Sequence, residues 1–310
     1  MKAWAAGFQT AHSGVTVNYD PQGSGAGRAA FLAGGNVAFA GSDSAMSAAE
    51  QTTAKTRCGA EGAIDVPVYL SAIAVVYKLD GVTDLKLSPD TLAKIFDGKI
   101  TTWNDAAIAA DNAGVTLPAT KITPVVRSDK SGTTANFTDY LSKAAPSSWS
   151  YPAADVWPIK GGEQASGTSG IISSVSQAAG AIGYADLSQA GDLGVASIKV
   201  GSAFVKPSAD AAAKVLEQST KAATATGNDL AFSINRTPTG DGVYPIVLLS
   251  YHIVCQHYTD AKVGQLVKDF EAYVISADGQ AAAATQAKSA PLSAAFLTQV
   301  KTAVDSIKVG

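Results

Sequence analysis

Short apolar, β-branched runs alternate with segments of helical spacing along this chain, and that alternation restricts it to the α/β class. Strand character falls at 15–19, 37–40, 65–77, 122–126, 181–184 and 244–254. Helical spacing falls at 1–11, 28–33, 88–96, 133–141, 208–225, 262–274 and 294–307, with a further helix running from the loop at 161–170 to Ala178. Pro89 stands in the first turn of one of these helices, where proline is tolerated. Strands that feed helices build a mostly parallel sheet covered by helices on both faces. At 310 residues, 46% of them hydrophobic, the chain has the length for two compact units. The Gly-, Asn-, Thr- and Pro-rich stretch at 226–242 reads as an exposed connection.

Three loops of one design join a strand to a helix: Gly23-Ser24-Gly25-Ala26-Gly27, the stretch from Arg127 to Thr134, and the stretch from Gly161 to Gly170. A helix N-terminus offers unpaired N–H groups and a partial positive charge, which suits an anion. Taken singly, each loop is weak evidence, since Ser or Gly before a helix is usually an ordinary cap. The first, with Asp43 about 20 residues downstream, has the outline of a dinucleotide fingerprint. Its glycines, however, fall as GxGxG, and Arg28 stands where the third glycine should give close helix–strand packing. The second loop carries more. Arg127 supplies a planar fork of donors suited to a tetrahedral oxyanion, Asp129 is placed to hold that fork, and Ser131, Gly132 and Thr133 bring hydroxyls and amides to the helix start. The plain alternative is a surface Arg–Asp pair beside a cap.

Other chemistries find little support. A formal net charge of −3 and the lack of any Lys or Arg run argue against a nucleic-acid partner. No apolar stretch has the roughly 18–20 residues of a membrane span, and no signal-peptide pattern is visible. His12, His252 and His257 read as surface or packing residues, and no metal-ligand cluster or nucleophile–base motif stands out, so neither a metal nor a cofactor is expected. Cys58 and Cys255 are too far apart for a CxxC site. Two separate buried thiols and one structural disulfide both remain open.

With these loops in place, the chain resembles the PstS family, the phosphate-binding subunits of phosphate ABC transporters. The resemblance runs through Val17-Asn18-Tyr19, Gly23 to Gly27 and Phe39-Ala40-Gly41-Ser42-Asp43. It continues through the stretches Ile95 to Asp105 and Val125 to Thr133, through Gly180 to Tyr184 and Tyr244 to Val247, and ends at Ser289-Ala290-Pro291-Leu292. It implies a two-lobed periplasmic-binding-protein fold of type II. One lobe would hold residues 1–70 plus 246–310 and the other 71–245, with a hinge near 70–78 and 243–248. It makes Ser24, Asp43, Arg127, Ser131, Gly132 and Thr133 phosphate contacts, with Asp129 orienting Arg127. Lys130 stands where many relatives carry glycine, and would either add positive charge or point to solvent. The cysteine positions resemble those of actinobacterial members, which implies a Cys58–Cys255 disulfide within one lobe and Cα atoms roughly 4.4–6.8 Å apart.

The function implied is capture of inorganic phosphate outside the membrane for the permease of an ABC importer, by a monomer that is not an enzyme. Asp43 would set specificity: phosphate near neutral pH keeps a proton to donate to a carboxylate, whereas sulfate has none, and an acceptor facing an acceptor in a closed site is costly. A phosphate-ester enzyme built on the same loops, and a surface protein that keeps the fold without the ligand, are the alternatives. The family places one strand and a Ser/Thr-bearing loop before the helix at 1–11. The resemblance therefore implies that Met1 is not the biological start, and that a groove lies beside 15–19.

Overall fold

The computed structural model describes residues 1–287 and 289–310. The chain divides into two compact units, Met1–Leu70 with Ser219–Ile234 and Leu249–Gly310, and Ser71–Gln218 with Asn235–Leu248. The mixed α/β architecture carries 11 helices among the described residues. Residues 219–234, expected with the middle of the chain, pack in the first unit instead. The Leu230 N–H donates to the Asp65 carbonyl at 3.1 Å, and Phe232 meets the Phe296 ring at 5.0 Å. A hairpin, Thr220–Lys221 against Phe232–Ser233, closes the segment. The Ala-rich helix expected over 208–225 therefore ends early, as Ala209–Glu217.

In the first unit the helix Lys2–Ala11 buries Trp4 and Phe8, four residues apart and so on one face. Phe8 packs edge-on against Phe270 at 5.2 Å, and the Trp4 indole N–H donates to the Gly279 carbonyl at 2.7 Å. His252 packs among these rings, 1% exposed, with Nδ1 2.9 Å from the Glu271 carboxylate. The strand Ala40–Ser42 runs antiparallel to Tyr251, His252 and Ile253, within the strand Val247–Cys255. Cys58 closes the helix Ala48–Cys58 and is disulfide-bonded to Cys255, with Cα atoms 5.2 Å apart, inside the expected window. This bond spans a sequence separation of 197, for which the chain-entropy picture gives about 5 kcal/mol of stabilisation.

One expected strand is missing. Residues 15–19 alternate as a strand should, yet they belong to no ladder, and the Val17 N–H donates to the Gln9 side chain at 2.7 Å instead. Alternation fits a segment for a sheet but does not supply a neighbour for it. The segment borders a groove of about 440 Å³, as expected, whose lining also includes residues 36–41, Phe8, Leu266 and Phe270.

In the second unit Thr123–Arg127 lies between two parallel neighbours, Glu163–Ala165 and Ala181–Asp186. Ala181–Asp186 runs antiparallel to residues 73–77 at the end of the strand Ala63–Tyr77. Ser88 caps the helix Pro89–Phe96, accepting from the Thr91 N–H. The helix Gly132–Ala144 lays Phe137 onto Phe96 at 4.9 Å and onto Tyr184 at 4.4 Å. That packing fixes the helix, and therefore fixes its N-terminus at the end of the strand carrying Arg127.

Candidate functional site

In the second unit the strand Thr123–Arg127 ends on a buried arginine. Arg127 is only 6% exposed. Its Nε donates to Asp129 Oδ1 at 2.8 Å and its Nη2 to Asp129 Oδ2 at 2.5 Å, the two-pronged geometry that a planar guanidinium permits. Its Nη1 meets no protein acceptor among the described residues. Burial works against charge on Asp129, but the bonds from Arg127 and from the Gly167 N–H at 3.0 Å outweigh it, holding the carboxyl below its ordinary range. Gly167 opens the helix Gly167–Gln177. The helix start in the third glycine-rich loop is thus occupied by the protein's own anion, Asp129, which in turn aims Arg127.

Ser131 caps the next helix, its hydroxyl accepting from the Thr134 N–H at 3.2 Å. Gly132 and Thr133 follow in the first turn, where N–H groups have no intrahelical acceptor. Ser131 and Thr133 are 1% and 3% exposed, so these donors lie beside Arg127 in the protein interior. Behind them Thr134 Oγ1 and the Tyr184 hydroxyl are 2.8 Å apart, and the Tyr184 hydroxyl accepts from the Arg127 N–H at 3.3 Å. Burial pushes the Tyr184 phenol up to about 12, so it stays a neutral donor and acceptor. Lys130 is exposed and points to solvent. The loop is therefore a cationic fork, a capped helix start and a positioning acid.

The first unit brings Ser24 and Asp43 together. Ser24 opens the helix Ser24–Ala33 after Gly23, whose φ of 92° favours glycine. Its hydroxyl accepts from the Asp43 N–H at 3.0 Å. The Ser250 hydroxyl, on the neighbouring strand, donates to Asp43 Oδ1 at 2.8 Å. Close helix–strand packing comes from Gly27, not from the next position: a Cβ there would sit 2.9 Å from the Gly41 carbonyl oxygen. Arg28 is then free to do something else. Buried, it bonds Glu50 at 2.8 Å, the Ser42 hydroxyl at 3.1 Å and the Ser44 hydroxyl at 2.8 Å, tying down the loop that carries Asp43. The dinucleotide outline fails on these contacts.

Sequence reasoning missed Ser250, Thr134, Tyr184 and the Gly167 amide. Ser250 sits in an apolar strand 207 residues from Asp43, with no local sign of its contact. The loop from Gly161 to Gly170 does bring an anion to a helix start, but that anion is the protein's own Asp129.

No helix among the described residues is long and apolar enough to cross a membrane. A family model described as a PBP superfamily domain matches residues 1–278. The chain is 39% identical over 276 residues to the phosphate-binding protein PstS 3 of Mycobacterium leprae, covering 87% of this chain and 74% of that one. It is 38% identical over 309 residues to the phosphate-binding protein PstS 2 of Mycobacterium tuberculosis, covering 95% and 80%. Among solved structures, the periplasmic phosphate-binding protein PfluDING, bound with phosphate, is similar in fold, with a TM-score of 0.79 at 24% identity over 99% of this chain and 94% of that one.

Proposed function

The chain belongs to the PBP superfamily and, within it, to the PstS phosphate-binding proteins, and from that premise we propose that it captures inorganic phosphate outside the membrane and delivers it to an ABC importer. The observation that carries the reading is Arg127: a buried guanidinium gripped on two nitrogens by Asp129, with its third nitrogen unengaged beside a capped helix start. Such a group is aimed at an anion that is not part of the protein.

The proposed contacts are Arg127, Ser131, Gly132 and Thr133 in the second unit, with Asp129 positioning the arginine, and Ser24 and Asp43 in the first. Asp43, steadied by Ser250, accepts the proton that phosphate retains near neutral pH and leaves sulfate without a matching donor. The protein works as a monomer, without a cofactor, and performs no covalent step. Its physiological partner is the membrane permease of the importer.

Calorimetric titration with phosphate and sulfate tests the reading. Phosphate should bind tightly and sulfate at least about a hundredfold more weakly, about 2.7 kcal/mol. Asp43→Asn should narrow that ratio while keeping phosphate binding. No heat with either anion, from a protein that melts cooperatively, would reject the function. An unchanged ratio in Asp43→Asn would remove the carboxylate from the role.

A further inference from the structure

The first unit contains a second acidic pair that phosphate capture, as described, does not use. Asp65, early in the strand Ala63–Tyr77, is 0% exposed, and Asp229, in the returning segment, is 6% exposed. The Asp65 N–H donates to Asp229 Oδ1 at 2.9 Å, which brings the two acids together in the interior. One amide nitrogen, Gln51 Nε2, reaches both, 3.2 Å from Asp65 Oδ2 and 3.4 Å from Asp229 Oδ2. Two buried carboxyl groups bridged by one amide repel each other when both are ionised. Among the described residues no Lys, Arg or His is bonded to either acid. Arg28, bonded to Glu50, Ser42 and Ser44, acts on Asp65 through space, and Lys221, bonded to the Gly227 carbonyl, acts on Asp229 in the same indirect way. Lys55, Glu61 and Lys308 line the pocket that Asp229 also lines, with no bond to either acid.

The pair also has an output. The Met46 N–H donates to both oxygens of Asp65, at 3.1 and 3.3 Å. Met46 lies in the loop of residues 43–47 that carries Asp43, between the strand Ala40–Ser42 and the helix Ala48–Cys58. That loop is therefore pinned from one side by Arg28 and from the other by the Asp65 carboxyl, while Asp229 pins the 219–234 segment to the backbone of the same residue.

We infer that Asp65 and Asp229 share one proton, and that this proton holds the Asp43 loop and the 219–234 segment in place, so that alkaline pH loosens phosphate capture through the protein as well as through the ligand. The second half of this inference rests on the phosphate reading, whereas the first half does not. Burial, and then the neighbouring Asp229 charge, raise Asp65 well above the ordinary carboxylate range, and burial raises Asp229 as well. Groups raised on folding contribute stability that is complete below their unfolded values and is lost as pH rises through the folded ones. The loss therefore begins above the ordinary carboxylate range and continues until the shared proton has left.

The test compares wild type with Asp229→Asn and Asp65→Asn. An amide donates to the remaining carboxylate without needing a proton. In thermal unfolding without phosphate, wild type should lose melting temperature from mildly acidic to mildly alkaline pH, and each variant should lose markedly less. Parallel curves overturn the shared proton. Should neither variant fold, infrared absorption of wild type at neutral pH decides: a carboxylic-acid C=O band is expected, and its absence overturns the inference. Phosphate titrations over the same range cancel the ligand's own ionisation when wild type is divided by variant. The expected quotient is a several-fold greater alkaline loss in wild type, and equal losses overturn the coupling to the Asp43 loop. If the melting curves diverge as stated while no form binds phosphate at any pH, the shared proton stands and the phosphate reading fails.

Discussion

Two buried arginines of the second unit address the same helix, Gly132–Ala144, and they differ in what they leave undone. Arg236, 3% exposed, spends every nitrogen on the protein: Nε on Asp139 at 2.8 Å, Nη2 on Asn136 at 2.5 Å, and Nη1 on the carbonyls of Pro245 and Val247 at 3.1 and 2.9 Å. Arg127, 6% exposed, spends two nitrogens on one acid and leaves the third unengaged. Desolvating a guanidinium costs several kcal/mol, recovered only when its donors find partners. Arg236 recovers that cost within the fold. Arg127 recovers part of it within the fold, in keeping with the anion-binding role proposed for it. Burial alone does not distinguish the two arginines, whereas the count of satisfied donors does.

The contrast breaks most readily at Arg236. Arg236→Leu leaves Asp139, Asn136 and two carbonyls without their cation, which should cost about 3 kcal/mol and lower the melting temperature by roughly 6–12 °C. A variant that melts like wild type would show that satisfied donors do not mark a structural arginine.

Arg127→Lys should do the reverse. A point charge replaces the fork, so phosphate affinity should fall at least about tenfold while the melting temperature without phosphate moves by only a few degrees. Equal affinity would place the arginine outside the site. A pH series sharpens the point. Asp129 is held low in the folded protein, so its stabilisation is complete above the unfolded carboxylate value and lost only as pH falls through the lower folded one. Mild acidification should therefore leave the grip on Arg127 intact.

The smallest effect belongs to Ser131, which serves both purposes. Ser131→Ala removes a cap and one hydroxyl donor, at about 1 kcal/mol in stability and a similar loss in phosphate affinity. A loss confined to stability would assign the hydroxyl to the helix alone.

The sequence exposes the Arg127 loop well because its grammar is local. Arg127, Asp129 and Ser131 lie within five residues, and strand, fork, acid and cap follow in order. Asp65 and Asp229 stand 164 residues apart, and nothing near either one announces a carboxyl partner. The Asn-, Gly- and Thr-rich character around 226–242 was read as solvent exposure, yet within it Asp229 is buried and Phe232 is half-buried, both on the first unit. Polar turn composition reports backbone geometry, not which body the turn lies against. The run at 15–19 shows the complementary limit, since alternation names a strand's two faces but not its neighbours.

The bond between Cys58 and Cys255 has a mechanical meaning. Every residue of the second unit, 71–218 and 235–248, lies inside the covalent loop it closes. Tension applied to the chain before Cys58 and after Cys255 is carried through sulfur and bypasses that unit entirely. About 700 Å of chain contour, at roughly 3.6 Å per residue for the 197-residue separation, stays out of reach of a pulling force while the bond is intact. While the bond is intact the second unit stays folded under loads that would unravel the helix Lys2–Ala11, and a single reduction event would remove that protection at once.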